Sequence, residues 1–247
     1  MEPSPSGRRS EGPPTLQPPR RTVRPSPMGQ QVRFTDELRS LAGAKWEAVI
    51  NHRFTDALAA GTIDRDVLAR YLVQDHRFLD SFVVLLSSMV AAAPSLAARI
   101  PGCQFLALIT GRENTYFERS FAALGVDDAA RESAPDTAPT VAFKALMRDA
   151  AKATYSEMLA VLVAAEWSYQ SWGERVLPAA VQEPFTSREW VDLHSGEYFG
   201  SVVEYLRGLL DEAAATMTPA ERAAVEVRFL AAVDIELAFF DAAYEDS

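Results

Sequence analysis

From Phe34 onward the chain reads as a succession of amphipathic helices. Leu38, Leu41, Ala42, Lys45, Trp46 and Val49 lie at i, i+3 and i+4 spacing, which places them on one helical face. The stretch from Arg65 to Ala92 repeats the pattern through Leu68, Tyr71, Leu72, Asp75, Phe78, Leu79 and Phe82. The same periodicity predicts helices over Phe105 to Leu124, Val141 to Lys152, Tyr155 to Leu177, Glu189 to Asp211 and Pro219 to Tyr244. Thr218 before Pro219 has the form of an N-cap with proline at the first helical position. Turn signals fall between these blocks: Gly61-Thr62, Pro94, Pro101-Gly102, Gly125, Pro135 to Pro139, Pro178 and Pro184. No segment alternates with the period of two that a half-buried strand requires, and no internal repeat or sustained heptad occurs. The expectation is an all-α, single-domain helix bundle of about seven or eight helices.

The first 28 residues break the pattern. They carry eight of the 15 prolines, five arginines and only two acids, without an apolar stretch. Such a segment cannot offset its ordering entropy by burial, so residues 1–28 are expected to be disordered and the folded domain to span 29–247. No apolar region follows Arg8-Arg9, so the segment does not read as a secretory signal. A flexible tail, a true start at Met28 and a targeting role are the alternatives. The longest apolar run, Phe82 to Ala93, is interrupted by Ser87 and Ser88 and stopped by Pro94. That falls short of the roughly 20 residues a membrane span needs, and it reads as a buried core helix.

Charge narrows the partners. The net charge is −10, and removing the five Arg and two Glu of the first 28 residues leaves −13 for the body. An acidic body argues against nucleic acid or an anionic membrane as principal partner, and with no signal the cytoplasm is the expected location. The single cysteine, Cys103, excludes an internal disulfide framework and a multi-thiolate metal site. Cys103 follows Pro101-Gly102 in a loop-like stretch with no histidine near it in sequence. G-x-S-x-G, a glycine-rich phosphate loop, H-E-x-x-H and C-x-x-C are all absent.

The informative residues are polar ones on faces that should be apolar. Asp75 shares a stripe with Tyr71, Phe78, Leu79 and Phe82, so its carboxyl is expected to point inward. A buried carboxylate needs a cation, a proton or a ligand, and spacing alone leaves an arginine partner and a ligand equally open. Glu236 lies among Phe229, Ala232, Val233, Phe239, Phe240 and Ala243, where either a structural hydrogen bond or acid–base work would account for it. Glu166 interrupts the apolar run Val161 to Trp167, with Tyr169 three residues on. His194 stands among Trp190, Glu197, Tyr198 and Phe199, company that suits a hydrogen-bonded core residue as well as a site. Trp167, Tyr169 and Trp172 could line an aromatic pocket or simply pack.

In four segments the chain resembles the TenA/thiaminase-II family. These are Trp46 to Gly61 with His52-Arg53-Phe54, Tyr71-Leu72-Val73-Gln74-Asp75, Ala164-Ala165-Glu166-Trp167-Ser168-Tyr169, and Phe229 to Tyr244. They occur in the family's order and spacing, and the likeness runs over about residues 34–244. It implies the heme-oxygenase-like all-α fold and a pocket for a substituted aminopyrimidine. Asp75 matches the aspartate on the ring's amino edge, Glu236 the C-terminal glutamate that protonates or orients the ring, and Phe78 a stacking aromatic. Phe143 stands where the family has a pocket tyrosine, and His194 where many members have another. Ala165 occupies the place of the nucleophilic cysteine. The neighbouring Glu166 resembles a second subtype in which a glutamate takes over.

The resemblance therefore implies a thiamin-salvage hydrolase working without cysteine, cofactor or metal. The leaving group would be an amine or an acylamine on the pyrimidine's substituted methyl. Phe78, Trp167 and Tyr169 are expected as walls, Asp75 as the edge contact, Glu236 as acid and Glu166 as activator of water. A homotetramer is the expected assembly. Two rivals stand beside this reading. One is a heme, di-iron or cofactorless oxygenase on the same fold, although no Glu-x-x-His pair occurs and only His52 or His76 could serve as an axial ligand. The other is a non-catalytic aminopyrimidine-binding protein.

Overall fold

A computed structural model describes residues 32–245, so the expected disordered segment 1–28 lies outside the described residues. Eleven α-helical segments and no strand are found among the described residues. They are α1 (Phe34–Ile50), α2 (Arg53–Ala59), α3 (Arg65–Ala92), α4 (Leu96–Leu108), α5 (Asn114–Leu124), α6 (Asp128–Ser133), α7 (Ala138–Ala150), α8 (Tyr155–Val176), α9 (Phe185–Leu193), α10 (Gly196–Ala214) and α11 (Pro219–Ala242). Eight of them have 11 residues or more, and all of these but α4 fall on the periodic blocks of the sequence. The segments α2 and α6, of seven and six residues, are too short for periodicity to reveal, and the single helix expected over Glu189 to Asp211 is broken at His194-Ser195 into α9 and α10.

Capping fixes where the long helices begin. Thr218 accepts a hydrogen bond from Glu221 N–H while the Glu221 carboxylate accepts from Thr218 N–H, a reciprocal box with Pro219 just inside. Thr154 and Glu157 form the same box at the start of α8. Asp64 caps α3. Helix α1 kinks at Gly43, whose φ of +48° is closed to most side chains. Leu41, expected on the inner stripe, lies 57% exposed, whereas Leu38, Ala42, Trp46 and Val49 are buried.

A second expectation fails around Pro101 to Leu124. Pro101-Gly102 does not mark a turn, because Pro101 lies inside α4. Cys103 is therefore on a helix, and exposed, rather than in a loop. The single helix expected downstream is instead the end of α4, a π-helical turn at Ile109–Glu113, and α5.

Helix α8 is the axis of the bundle. Every residue from Met158 to Ala165 is buried, so it must be covered on all sides, and α11 and α10 pack most extensively against it. Helices α1, α3 and α7 complete the cover. Among the described residues, no helix is long and apolar enough to cross a membrane.

Candidate active site

Helices α3, α7, α8 and α11, the π turn and the α9–α10 junction enclose a narrow cavity. About 40 Å³ of it is open to the centre of a water molecule. Aromatic walls come from Phe78, Phe82, Phe105, Phe143, Tyr169 and Trp190. Phe78 packs against Phe143 and Phe239, with centroids 5.2 and 5.4 Å apart.

Four carboxyls line the same cavity: Asp75 from α3, Glu113 from the π turn, Glu166 from α8 and Glu236 from α11. No lysine or arginine joins them. Burial pushes the Glu113 carboxyl up to about 8. Burial also holds Asp75 well above the carboxylate range, with Glu113 adding to the rise and the Tyr71 hydroxyl opposing it. Glu166 is raised by burial, then by Glu113 and Asp75. Glu236 is raised by burial, then by Asp75 and Glu166. Oε2 of Glu236 is buried with no hydrogen-bond partner, a cost that a native core rarely carries without a use. The carboxyls face one cavity without converging, since no group of three or more His, Cys, Asp or Glu among the described residues is placed to hold a metal ion.

The Tyr-x-x-Gln-Asp segment divides its work by helical angle. Tyr71 hydrogen-bonds the Tyr169 hydroxyl at 2.7 Å. One position before Asp75, and about 100° around the helix, Gln74 clamps the α6–α7 connection. Its Oε1 accepts from Thr140 Oγ1 at 2.7 Å and Thr137 N–H at 3.0 Å, and its Nε2 donates to the Pro135 carbonyl. Gln74 thus fixes the lip of the fold while Asp75 turns to the cavity.

His194 reaches the cavity through a close backbone approach. A Cβ on Gly173 would lie 2.2 Å from the His194 carbonyl oxygen, so only glycine lets the α9–α10 junction press onto α8. The ring then packs 4.8 Å from Tyr169, and Nδ1 donates to the Trp190 carbonyl at 2.9 Å, leaving Nε2 bare as an acceptor. Burial lowers this imidazole to about 4, so it is neutral at physiological pH.

Most of the sequence-marked residues therefore meet: Asp75, Phe78, Phe143, Glu166, Tyr169, His194 and Glu236 all line the cavity, as does Ala165. Trp167 does not. It follows Glu166 by one position and precedes Tyr169 by two, so helical geometry turns it away from both. Its ring packs 5.0 Å from Trp46, with the Arg207 guanidinium 3.8 Å above it. Trp172 is buried against Tyr169 and His194 rather than on the cavity wall. The residue that the sequence reading missed is Glu113. Its signal was the i, i+4, i+8 spacing of Phe105, Ile109 and Glu113, which puts an acid at the edge of an apolar helical stripe.

The two histidines considered as heme ligands are committed elsewhere. His52 Nδ1 accepts from Phe54 N–H and its Nε2 pairs with Asp241 at 3.1 Å, tying α2 to α11. His76 packs on Phe117 and Phe121 and approaches Asn114. Neither lines the cavity.

This arrangement, an all-α bundle with its ligand cavity between inward-facing helices, is of the heme-oxygenase-like type. A TenA homologue from Pyrococcus furiosus superposes with a TM-score of 0.77 at 21% identity, covering 85% of this chain and all of the other. A domain of unknown function with a heme oxygenase-like fold from Shewanella denitrificans gives 0.62 at 14% identity, covering 85% of this chain and 91% of that one. The model of the TENA/THI-4/PQQC family matches residues 41–246, and the chain belongs to that family. Among its relatives, the aminopyrimidine aminohydrolase of Bacillus subtilis is 26% identical, covering 86% of this chain and 90% of that protein. The enzyme of the same name from Halalkalibacterium halodurans is 24% identical, covering 86% and 96%.

Proposed function

We propose that the protein is an aminopyrimidine aminohydrolase of thiamin salvage, which replaces the amine on the pyrimidine's aminomethyl group by hydroxyl. The observation that carries this reading is the aromatic-walled cavity with four carboxyls and no cation. Such a cavity favours a flat ligand rich in N–H donors and bearing positive charge. An aminomethyl-aminopyrimidine meets each requirement, whereas its N-formyl derivative lacks the ammonium. The free amine is therefore the preferred substrate. The kinship with enzymes named aminopyrimidine aminohydrolase points the same way.

In the proposed reaction Asp75 accepts from the ring's amino edge, and Phe78 and Tyr169 hold the ring plane. Glu236, kept protonated by burial and by Asp75 and Glu166, donates to a ring nitrogen and makes the ring a better electron sink. Glu166 takes a proton from water as the water oxygen bonds the exocyclic carbon. The C–N bond breaks and the amine departs as ammonia. With Ala165 on the cavity wall where cysteine-bearing relatives would hold their nucleophile, water attacks directly. The reading places the protein in the cytoplasm as a homotetramer, which sedimentation of the full chain checks.

Mass-spectrometric product analysis tests the reaction with the aminomethyl-pyrimidine, its N-formyl derivative and intact thiamin. Hydroxymethyl-pyrimidine and ammonia from the first, faster than from the other two, are expected. Tight binding of all three without product would replace the enzyme by an aminopyrimidine-binding protein.

A further inference from the structure

A local irregularity brings Glu113 from the edge of its helical stripe to the middle of it. In an α-helix each residue advances by about 100°, so Glu113, eight residues beyond Phe105, would face roughly 80° away from it. The π-helical turn over Ile109–Glu113 changes this, because i→i+5 bonding advances each residue by only roughly 80°. Phe105, Ile109 and Glu113 then fall within about 40° of one another, and all three line the cavity. Single π turns inside helices are concentrated at functional sites, where they re-aim a side chain at the cost of regular hydrogen bonding.

We propose that Glu113 is a fourth carboxyl of this site and a positioning residue for Glu166 and Asp75. The proposal rests on the aminopyrimidine reading above and adds a residue to it. The groups around Glu113 come from several elements: Asp75 on α3, Tyr116 on α5, Glu166 and Tyr169 on α8, His194 at the α9–α10 junction, and Glu236 on α11. On α9, Glu189 is ion-paired with Arg119 and so is already neutralised. Glu113 is the leading charge acting on both Asp75 and Glu166, while Glu236 responds to those two instead. The cluster thus runs from Glu113 through Asp75 and Glu166 to Glu236. Without a cation in the cavity, its members cannot all ionise at neutral pH, and they hold protons. An entering ammonium supplies the missing positive charge and at least one proton leaves. Glu113 makes that exchange demanding, which keeps Glu166 protonated until a cationic substrate is bound and free to act as base afterwards.

Glu113→Gln and Glu113→Asp in the full chain test this. Infrared pH titration of the ligand-free protein reads the carboxylic acid band directly. Apart from the loss of Glu113's own contribution, the remaining buried acids are expected to titrate about one pH unit lower in Glu113→Gln, with the Asp variant between it and wild type. The limb of the kcat/KM profile for the aminomethyl-pyrimidine moves in the same direction. An unmoved titration in either folded variant, or a lower rate with an unmoved pH profile, overturns the proposal. A shifted titration in a protein that turns over no aminopyrimidine would overturn the functional reading instead and leave the coupling of Glu113 to its neighbours standing.

Discussion

Two faces of helix α8, one residue apart, treat charge in opposite ways. On one, Glu166 enters a cavity with three further carboxyls and no cation. On the other, Trp167 lies beneath Arg207, whose Nη2 reaches Asp36 at 2.6 Å and whose Nε donates to Thr35 Oγ1. Beside it Arg33 binds Asp211 at 2.5 Å and Glu204 at 2.8 Å, and Asp211 also accepts from Thr35 N–H at the start of α1. Every charge there has a partner, and the one orphan among the described residues of that face is a neutral group, the buried Trp46 Nε1–H against Trp167. The cavity differs: its acids are held in an unfavourable state and an orphaned oxygen remains on Glu236. Orphaned polar atoms also occur elsewhere in the core, so what sets the cavity apart is four carboxyls gathered without a cation, where the opposite face pairs each charge.

The comparison can be broken most severely at Glu236. Glu236→Gln keeps shape and burial but removes the acid, and kcat for amine release is expected to fall about 1,000-fold, which is about 4 kcal/mol of barrier. Steady-state assay beside a melting curve checks this, and a folded variant at wild-type rate removes the acid role. On the opposite face, Trp167→Ala is expected to cost about 3 kcal/mol of stability in denaturant unfolding while leaving KM unchanged. A raised KM with unaltered stability would move Trp167 back to the site.

A gentler probe is pH. An acid raised in the folded state loses its proton more readily when unfolded, so the stability it contributes is complete below its unfolded value and lost as pH rises through its folded one. For Glu113 the window runs from 4.5 to about 8. His194, lowered from 6.5 to about 4, is neutral in both states above pH 6.5, so it does not oppose the carboxyls there. The melting temperature is therefore expected to fall from pH 6.5 to 8, and saturating aminomethyl-pyrimidine to flatten the slope. The smallest effect is expected from Arg207→Lys, about 1 kcal/mol from lost stacking on Trp167 and lost fork geometry, with kcat unchanged.

The sequence showed which acids were out of place, because Asp75, Glu166 and Glu236 interrupt apolar stripes that a 3.6-residue period defines. It could not show that all three meet at one cavity, since they lie on α3, α8 and α11 and only packing brings those helices together. Glu113 escaped for a different reason. At i+8 from Phe105 it sits at the edge of its stripe beside exposed neighbours, and the π turn that brings it fully to the cavity leaves no mark in the spacing. Trp167 was misplaced by proximity: adjacency in sequence to Glu166 and Tyr169 on a helix means divergence in space.

By itself, then, the sequence determined most of the long helices, the Thr218 cap and three of the four inward acids, all of which follow from interactions within a few residues. Thr154 and Thr218 mark their helix starts by contacts three residues away. Only the tertiary structure decided that those acids share a cavity without a cation, that Gly173 admits the His194 backbone against α8, and that a π turn adds Glu113. Solvation and charge balance depend on what residues distant along the chain leave uncovered, and no local pattern contains that information.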